Sequence, residues 1–513
     1  MSRIFDNPAL SSPPLSHLDR DPLSSYVHDR AATSLLSMSL ETRGEQPSST
    51  RPFGLRIAPT LKTGQSSNDK TGTCFDMRRR KPRHGKAAHV GHWDSALRLR
   101  SFGYALLLTL LVSIRANAGI LHQRQPLVVA YFAQSGLYSE PPVYLRDLVD
   151  NGAASLLNQI NYAHASVVGG RCSIGDPEAD LETAYASENS VNGTSDDPDS
   201  RFRGYFHQLK QLKHLYSKLR ILISLEGEAA DFREDAKPEN LHEFVASCVD
   251  IFLRGHFAPG VTEPGIFDGI DVDWEFPQRS DAENFRALIA EFRRQMNAVR
   301  RGLKLSIAVG DRPEMQPGTD FRALAPLVDE IGIMNYDYTG PWESRTGFLA
   351  PLFPTADARE YGSVAESITA YEKVGVPDRK LLMGIPFYGY EWRGVSPENS
   401  GLFQRGKGDS ESKPYRTIRR LQSLHTTQRN RESRAPWIFD GANFWTFEDP
   451  ISVAYKCRYA AHRKLKGIMI WELGQDTAEA TLLTAAWRSL QQASTSSTFA
   501  EPTGAEIPAA AGS

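Results

Sequence analysis

The clearest alternation of apolar and polar positions lies at residues 267–277, where Ile270, Val272 and Trp274 interleave with Asp271, Asp273 and Glu275. A strand has a side-chain period of two, so the three acids share one face and the apolar set faces a core. Pro277 cannot continue a ladder, which predicts a strand end near Glu275. Asp268 has the opposite parity to the acids and is expected to support the strand entry through a hydrogen bond. Successive residues on one face sit roughly 7 Å apart. The acids therefore form a crowded column at the strand's C-terminal tip, where like charges push pKa values apart and favour a shared proton. A metal-binding acidic strand or a solvated edge strand carries a similar pattern. A solvated edge has no use for Ile270 and Trp274 behind it, and no histidine lies nearby in sequence to suit a transition metal.

Other apolar runs read as strands: residues 127–132, 158–165, 220–225, 303–309, 330–338, 381–389 and 467–473. Within 330–338, Met334, Tyr336 and Tyr338 share a parity. Residues 282–303 have helical spacing (Phe285, Leu288, Ile289, Phe292, Met296, Val299) with Gly302 as a stop. Strand, helix, strand at this spacing argues for a βαβ unit and a parallel sheet. Residues 169–200 are polar and read as a long loop containing the sequon Asn192-Gly193-Thr194. A helix is expected to run to about residue 491, and the Ser/Thr/Ala/Pro-rich tail at 493–513 to be disordered.

Composition adds limits. The 513 residues carry a net charge of -2 and 40% hydrophobic residues, an ordinary globular balance with no argument for nucleic acid or an anionic membrane. The four cysteines, Cys74, Cys172, Cys248 and Cys457, match no zinc spacing, and no pairing follows from sequence. Residues 1–101 lack a sustained apolar period and are expected to be a disordered extension or to precede the true translation start, with Met77 as the alternative start. Basic residues (Arg78, Arg79, Arg80, Lys81, Arg98, Arg100) precede an apolar run at 102–114 and then Ala116-Asn117-Ala118. That is the anatomy of a secretory signal at 102–118, predicting a secreted protein, extracellular or periplasmic, that begins near Gly119. An uncleaved signal anchor in the membrane is the alternative. The run is short for a stable membrane span.

The acidic strand, written Asp268-x-x-Asp271-x-Asp273-x-Glu275, resembles the signature of the family-18 glycoside hydrolases, the chitinase family. Three more stretches are similar to that family's motifs: Met334-x-Tyr336-Asp337, Gly384-x-Pro386-x-Tyr388-Gly389 and Gly467-x-Met469-x-Trp471-Glu472. The resemblance implies an α/β fold, a (β/α)8 TIM barrel over residues 119–492 with long mouth loops. Two positions depart from the pattern. Glu226 follows Ser224 where the family usually has the first glycine of S-x-G-G, and Tyr390 stands where it often has arginine. Many family members also carry a folded α+β insertion after the seventh strand. The matching stretch here, 391–436, has few apolar residues and reads as polar and loop-like. It predicts no full insertion domain, a flexible or flattened wall, an open groove and internal cutting.

The resemblance implies a retaining, substrate-assisted hydrolase of β-1,4-linked N-acetylglucosamine polymers. Glu275 is then the general acid, Asp273 holds the substrate acetamido N–H, Asp271 shares a proton with Asp273, and Tyr336 binds the acetamido oxygen. Asp337, Met334, Trp471, Tyr388, Trp342 and Tyr131 are candidate substrate-binding residues, with Trp471 as the floor under the sugar. No metal or cofactor is called for. The expected partner of this expected monomer is chitin or another N-acetylglucosamine-containing glycan. An enzyme of the same mechanism acting on N-glycan cores or peptidoglycan, and a chitin-binding lectin on the same barrel, remain the alternatives. Retention of Glu275 argues against the lectin.

Overall fold

The computed structural model describes residues 125–495 apart from residue 228. The extension at 1–101, the signal-like segment at 102–118 and the tail beyond 495 lie outside the described residues.

Eight strands form the centre: β1 (Leu127–Ala133), β2 (Gln159–Val168), β3 (Arg220–Glu226), β4 (Gly269–Val272), β5 (Lys304–Val309), β6 (Glu330–Ile333), β7 (Leu381–Pro386) and β8 (Gly467–Trp471). Each pairs in parallel with the next. β8 returns to β1 in the register Leu127↔Gly467, so the sheet closes into the expected (β/α)8 barrel. Closure removes every unpaired edge. Helices that pack around it include α1 (Gly204–Leu215), α2 (Leu241–Cys248), α3 (Ala282–Val299), α4 (Val364–Lys373), α5 (Pro450–His462) and α6 (Thr481–Thr495).

Period two sorts the strand side chains into two layers. Ile270, Val272 and Trp274 join the outer layer against the helices, where α3 adds Phe285, Leu288, Ile289, Phe292 and Met296. Each such fully buried side chain contributes roughly 1.5–3 kcal/mol. Val129, Tyr131, Ala163, Ala308, Met334, Tyr336, Leu382 and Met469 point into the barrel. α3 stops at Val299 because Arg300 is extended (φ -158°) and Gly302 takes φ +90°.

Three stretches differ from the sequence reading. The ladder of β6 ends at Ile333, and Asp337 lies at φ +63°, so parity fails beyond it. Tyr338 consequently packs in the outer layer while Met334 and Tyr336 stay inside. Residues 169–200 are more than a loop: Arg171–Ser173 pairs antiparallel with β2, and Cys172 forms a disulfide with Cys248 on α2.

The third difference corrects the loop-like reading of 391–436. β7 ends at Pro386, and Tyr388–Arg393 opens an antiparallel sheet with Lys407–Gly408, Lys413–Pro414 and Asn443–Thr446. Pro436–Phe439 and Thr427–Arg429 extend it, and a helix, Tyr415–Leu424, packs alongside. This stretch is therefore a folded α+β insertion rather than a loop-like one. Its core needs Trp437, Ile438, Phe444 and Trp445, which lie beyond the stretch judged too polar. Phe444 meets Trp392 through the pairing of their strands, a long-range relationship that local pattern does not reveal.

Candidate active site

The C-terminal ends of the strands collect the candidate residues. Asp271 and Asp273 are buried on β4 and just past it, and Glu275, two residues on, is partly exposed. The strand direction persists beyond the ladder, since the Asp273 N–H donates to the Leu225 carbonyl at 3.0 Å. Asp268 sits at the other end, just before the strand begins at Gly269. Its carboxylate accepts from Lys213 Nζ at 2.9 Å and from the Ile221 N–H at 3.1 Å.

Asp271 is held by three hydroxyls from three strands. Tyr131 on β1 donates to Oδ2 at 2.6 Å, Ser224 on β3 donates to Oδ2 at 2.9 Å, and Ser306 on β5 donates to Oδ1. Three donors suit an ionised carboxylate, an acceptor-only group. Burial, with Asp271 and Asp273 beside it, pushes the Tyr131 hydroxyl well above its ordinary pKa, so it remains a donor.

A second group forms around Asp337 at the end of β6. The Tyr388 hydroxyl donates to Asp337 Oδ1 at 2.6 Å, and the Tyr390 hydroxyl donates to the same atom at 3.0 Å. Tyr390, which departs from the expected arginine, thus makes its own contact with Asp337. It also meets Trp342 edge-on at 5.6 Å. Tyr336 meets Tyr388 edge-on at 6.0 Å. The backbone approach there is close: a Cβ on Gly384 would lie 2.4 Å from the Ile333 carbonyl and 3.1 Å from Tyr336 Cε1. Only glycine fits at that point.

Trp471 ends β8. Its ring lies 5.2 Å from Tyr131 and stacks at 20° on His164, centroids 5.7 Å apart. Next to it Glu472 is buried, and that burial pushes its carboxyl up to about 7 despite the Gly474 N–H it accepts at 2.8 Å. All the expected site residues therefore gather at one end of the barrel, with Met334, Tyr131, Tyr336 and Tyr388 in its interior cluster and Trp342 and Trp471 packed against it.

Residues 127–476 match the family described as "Glycosyl hydrolases family 18". The chain belongs to this family. Over 366 residues, 68% of its length, this family-18 chain is 28% identical to chitinase C of Streptomyces lividans. That match takes up 57% of the length of the Streptomyces protein. Among solved structures it is similar to the catalytic domain of psychrophilic chitinase B from Arthrobacter TAD20, at 27% identity and a TM-score of 0.67, over 72% of this chain and 96% of that one. It is also similar to a family-18 N-acetylglucosaminidase from Paenibacillus barengoltzii, at 25% identity and a TM-score of 0.57, over 71% and 99%.

Three polar residues beside the candidate acids of this family-18 chain escaped the sequence reading: Ser224, Ser306 and His164. The serines left a signal, a lone small polar residue inside each of two apolar strands. His164 left a misleading one. Its parity matches Ile160 and Tyr162, which face outward into the outer layer. The pairing of β2 with β3 shifts register between Ala163 and Ala165, so His164 is the extra residue of a bulge. Bulges re-aim side chains, and this one turns the imidazole toward Asp273. Glu226 meets it there. A close backbone approach falls at the next residue, Gly227, where a Cβ would lie 2.8 Å from Val167 Cβ.

Proposed function

We propose that this family-18 protein is a chitinase-like hydrolase that cleaves β-1,4-linked N-acetylglucosamine polymers with retention, by substrate-assisted catalysis. One observation carries the reading: the column in which Asp271 and Asp273 are buried and Glu275 is partly exposed at the strand end, with Tyr131, a donor to Asp271, packed against Trp471. Glu275 donates its proton to the leaving glycosidic oxygen. The substrate's own 2-acetamido oxygen attacks the sugar carbon and closes an oxazolinium ring. Asp273 accepts the acetamido N–H and stabilises the cation, and the Tyr336 hydroxyl donates to the acetamido oxygen. Water, deprotonated by Glu275, opens the ring from the face the leaving group left, so two inversions give retention. Asp271, fixed by its three hydroxyl donors, anchors the column two residues before Asp273. Trp471 stacks on the apolar face of the sugar, and Asp337, Tyr388, Tyr390, Trp342 and Met334 shape the pocket around it.

The protein acts as a secreted monomer on glycan. The Cys172–Cys248 disulfide supports that location, because such bonds persist in oxidising compartments.

The test is incubation with chitin oligomers, an N-glycan, peptidoglycan and fully deacetylated oligomers, with products read by mass. Cleavage of the chitin oligomers and none of the deacetylated ones is expected. Equal cleavage of both would remove the acetamido group from the mechanism. Cleavage confined to the N-glycan or peptidoglycan would move the substrate to that class, and binding without cleavage would make the protein a lectin.

A further inference from the structure

Glu226, one of the two departures from the family pattern, pairs with His164 beside the proposed catalytic acids. His164 Nδ1 donates to Glu226 Oε2 at 3.0 Å, and its Nε2 lies 3.8 Å from Asp273 Oδ2. The imidazole is nearly enclosed and stacks on Trp471. The two ring nitrogens thus face two carboxylates, on opposite sides. A neutral imidazole carries one N–H, which Glu226 takes, whereas an imidazolium also presents a charged N–H toward Asp273, an electrostatic contact at 3.8 Å. The bulge in β2 presents the ring, and Glu226 at the end of β3 supplies its counter-charge.

We propose that Glu226 and His164 form a positioning dyad for Asp273, in which Glu226 keeps the imidazole charged and the imidazolium fixes the orientation of Asp273 and keeps it ionised. The groups facing the ring are Glu226 from β3, Asp271 and Asp273 from β4, Tyr131 from β1 and Trp471 from β8. Burial disfavours the charged ring, and the Glu226, Asp273 and Asp271 carboxylates outweigh it, holding the His164 pKa above its ordinary value. Neither residue touches the scissile bond. Each acts through Asp273, whose carboxylate must be ionised to accept the acetamido N–H. That consequence rests on the substrate-assisted reading above. The dyad itself does not, and the two are tested separately.

The first measurement needs no substrate. The ring carbon signals of the 13 histidines are titrated by NMR in the whole protein, and His164 is assigned as the signal missing from His164→Gln. In wild type it should titrate above the ordinary histidine value. It should move down in Glu226→Gln, an isosteric change, and also in Asp273→Asn. A wild-type signal at or below the ordinary value, or one that Glu226→Gln leaves in place, overturns the dyad. This holds even if the protein proves to hydrolyse nothing.

The second measurement follows kcat and KM on a soluble acetylated oligomer across pH. Glu226→Gln should match wild type near pH 5, where both rings are charged, and fall behind by about tenfold as pH rises through neutral. The gap should close again above the wild-type His164 pKa. It should appear in kcat rather than KM. His164→Gln, which carries no charge at any pH, should show the deficit already near pH 5 and lose it only above the wild-type His164 pKa. A deficit in Glu226→Gln that is the same at every pH is ordinary structural damage and sinks the positioning role.

Discussion

Tyr131 on the first barrel strand donates a 2.6 Å hydrogen bond to Asp271 on the fourth, 140 residues away. The contact crosses the barrel interior and is one of three hydroxyl bonds that fix Asp271. Tyr131→Phe keeps the ring against Trp471 and removes one donor. It should lower kcat by about tenfold and stability by about 1–2 kcal/mol, with KM nearly unchanged. Kinetics and thermal unfolding of the purified variant check both. A variant as active and as stable as wild type would mean that Ser224 and Ser306 suffice.

Glu275 is partly exposed at the tip of the column, so its replacement should leave the core intact. Glu275→Gln is expected to reduce turnover by roughly 10²–10⁴ while oligomer binding, read by calorimetry, persists. Near wild-type hydrolysis would take the general-acid role away from it.

Tyr390 shares Asp337 Oδ1 with Tyr388. Tyr390→Phe leaves the shorter Tyr388 bond in place. It should raise KM severalfold with little change in kcat, because the contact shapes the pocket rather than the reacting atoms. Steady-state kinetics on a short oligomer separate the two constants. A fall in kcat at constant KM would place Tyr390 nearer the chemistry.

Glu472 gives a stability prediction with a definite sign. Burial raises its carboxyl from 4.5 to about 7 in the fold. The folded state therefore holds its proton more tightly than the unfolded chain does. Stability is unpenalised below pH 4.5, declines as pH rises toward about 7 and levels off above, by at most about 3 kcal/mol. Glu472→Gln should be spared this decline, so its Tm should gain on wild type across that window. Two Tm profiles with a constant offset would contradict it.

The Cys172–Cys248 bond closes a span of 76 residues between the β2 hairpin and α2. Chain entropy predicts a stabilisation of about 4 kcal/mol. Cys172→Ser, or reduction of the wild type, should lower Tm while leaving kcat close to its original value, since neither cysteine approaches the acids. Unfolding scans with and without reductant measure it.

The sequence by itself determined the acidic face. Period two is a local property, so Asp271, Asp273 and Glu275 on one side and Ile270, Val272 and Trp274 on the other follow from spacing alone. The same reasoning put Met334 and Tyr336 on one face, which the structure turns inside, and helical spacing placed the buried stripe of α3. It failed for Tyr338, because a left-handed residue at Asp337 breaks the alternation before it. It failed for His164, because a one-residue bulge reverses parity without altering the apolar pattern. The insertion escaped because its core joins Trp392 to Phe444 across paired strands that a local count keeps apart. Only the tertiary structure decided what the acidic face meets. The hydroxyls on Asp271 come from β1, β3 and β5, and the imidazole beside Asp273 comes from β2. Spacing specifies the side to which a residue points. The partners on that side are chosen by closure of the barrel, which brings together strands far apart in the chain.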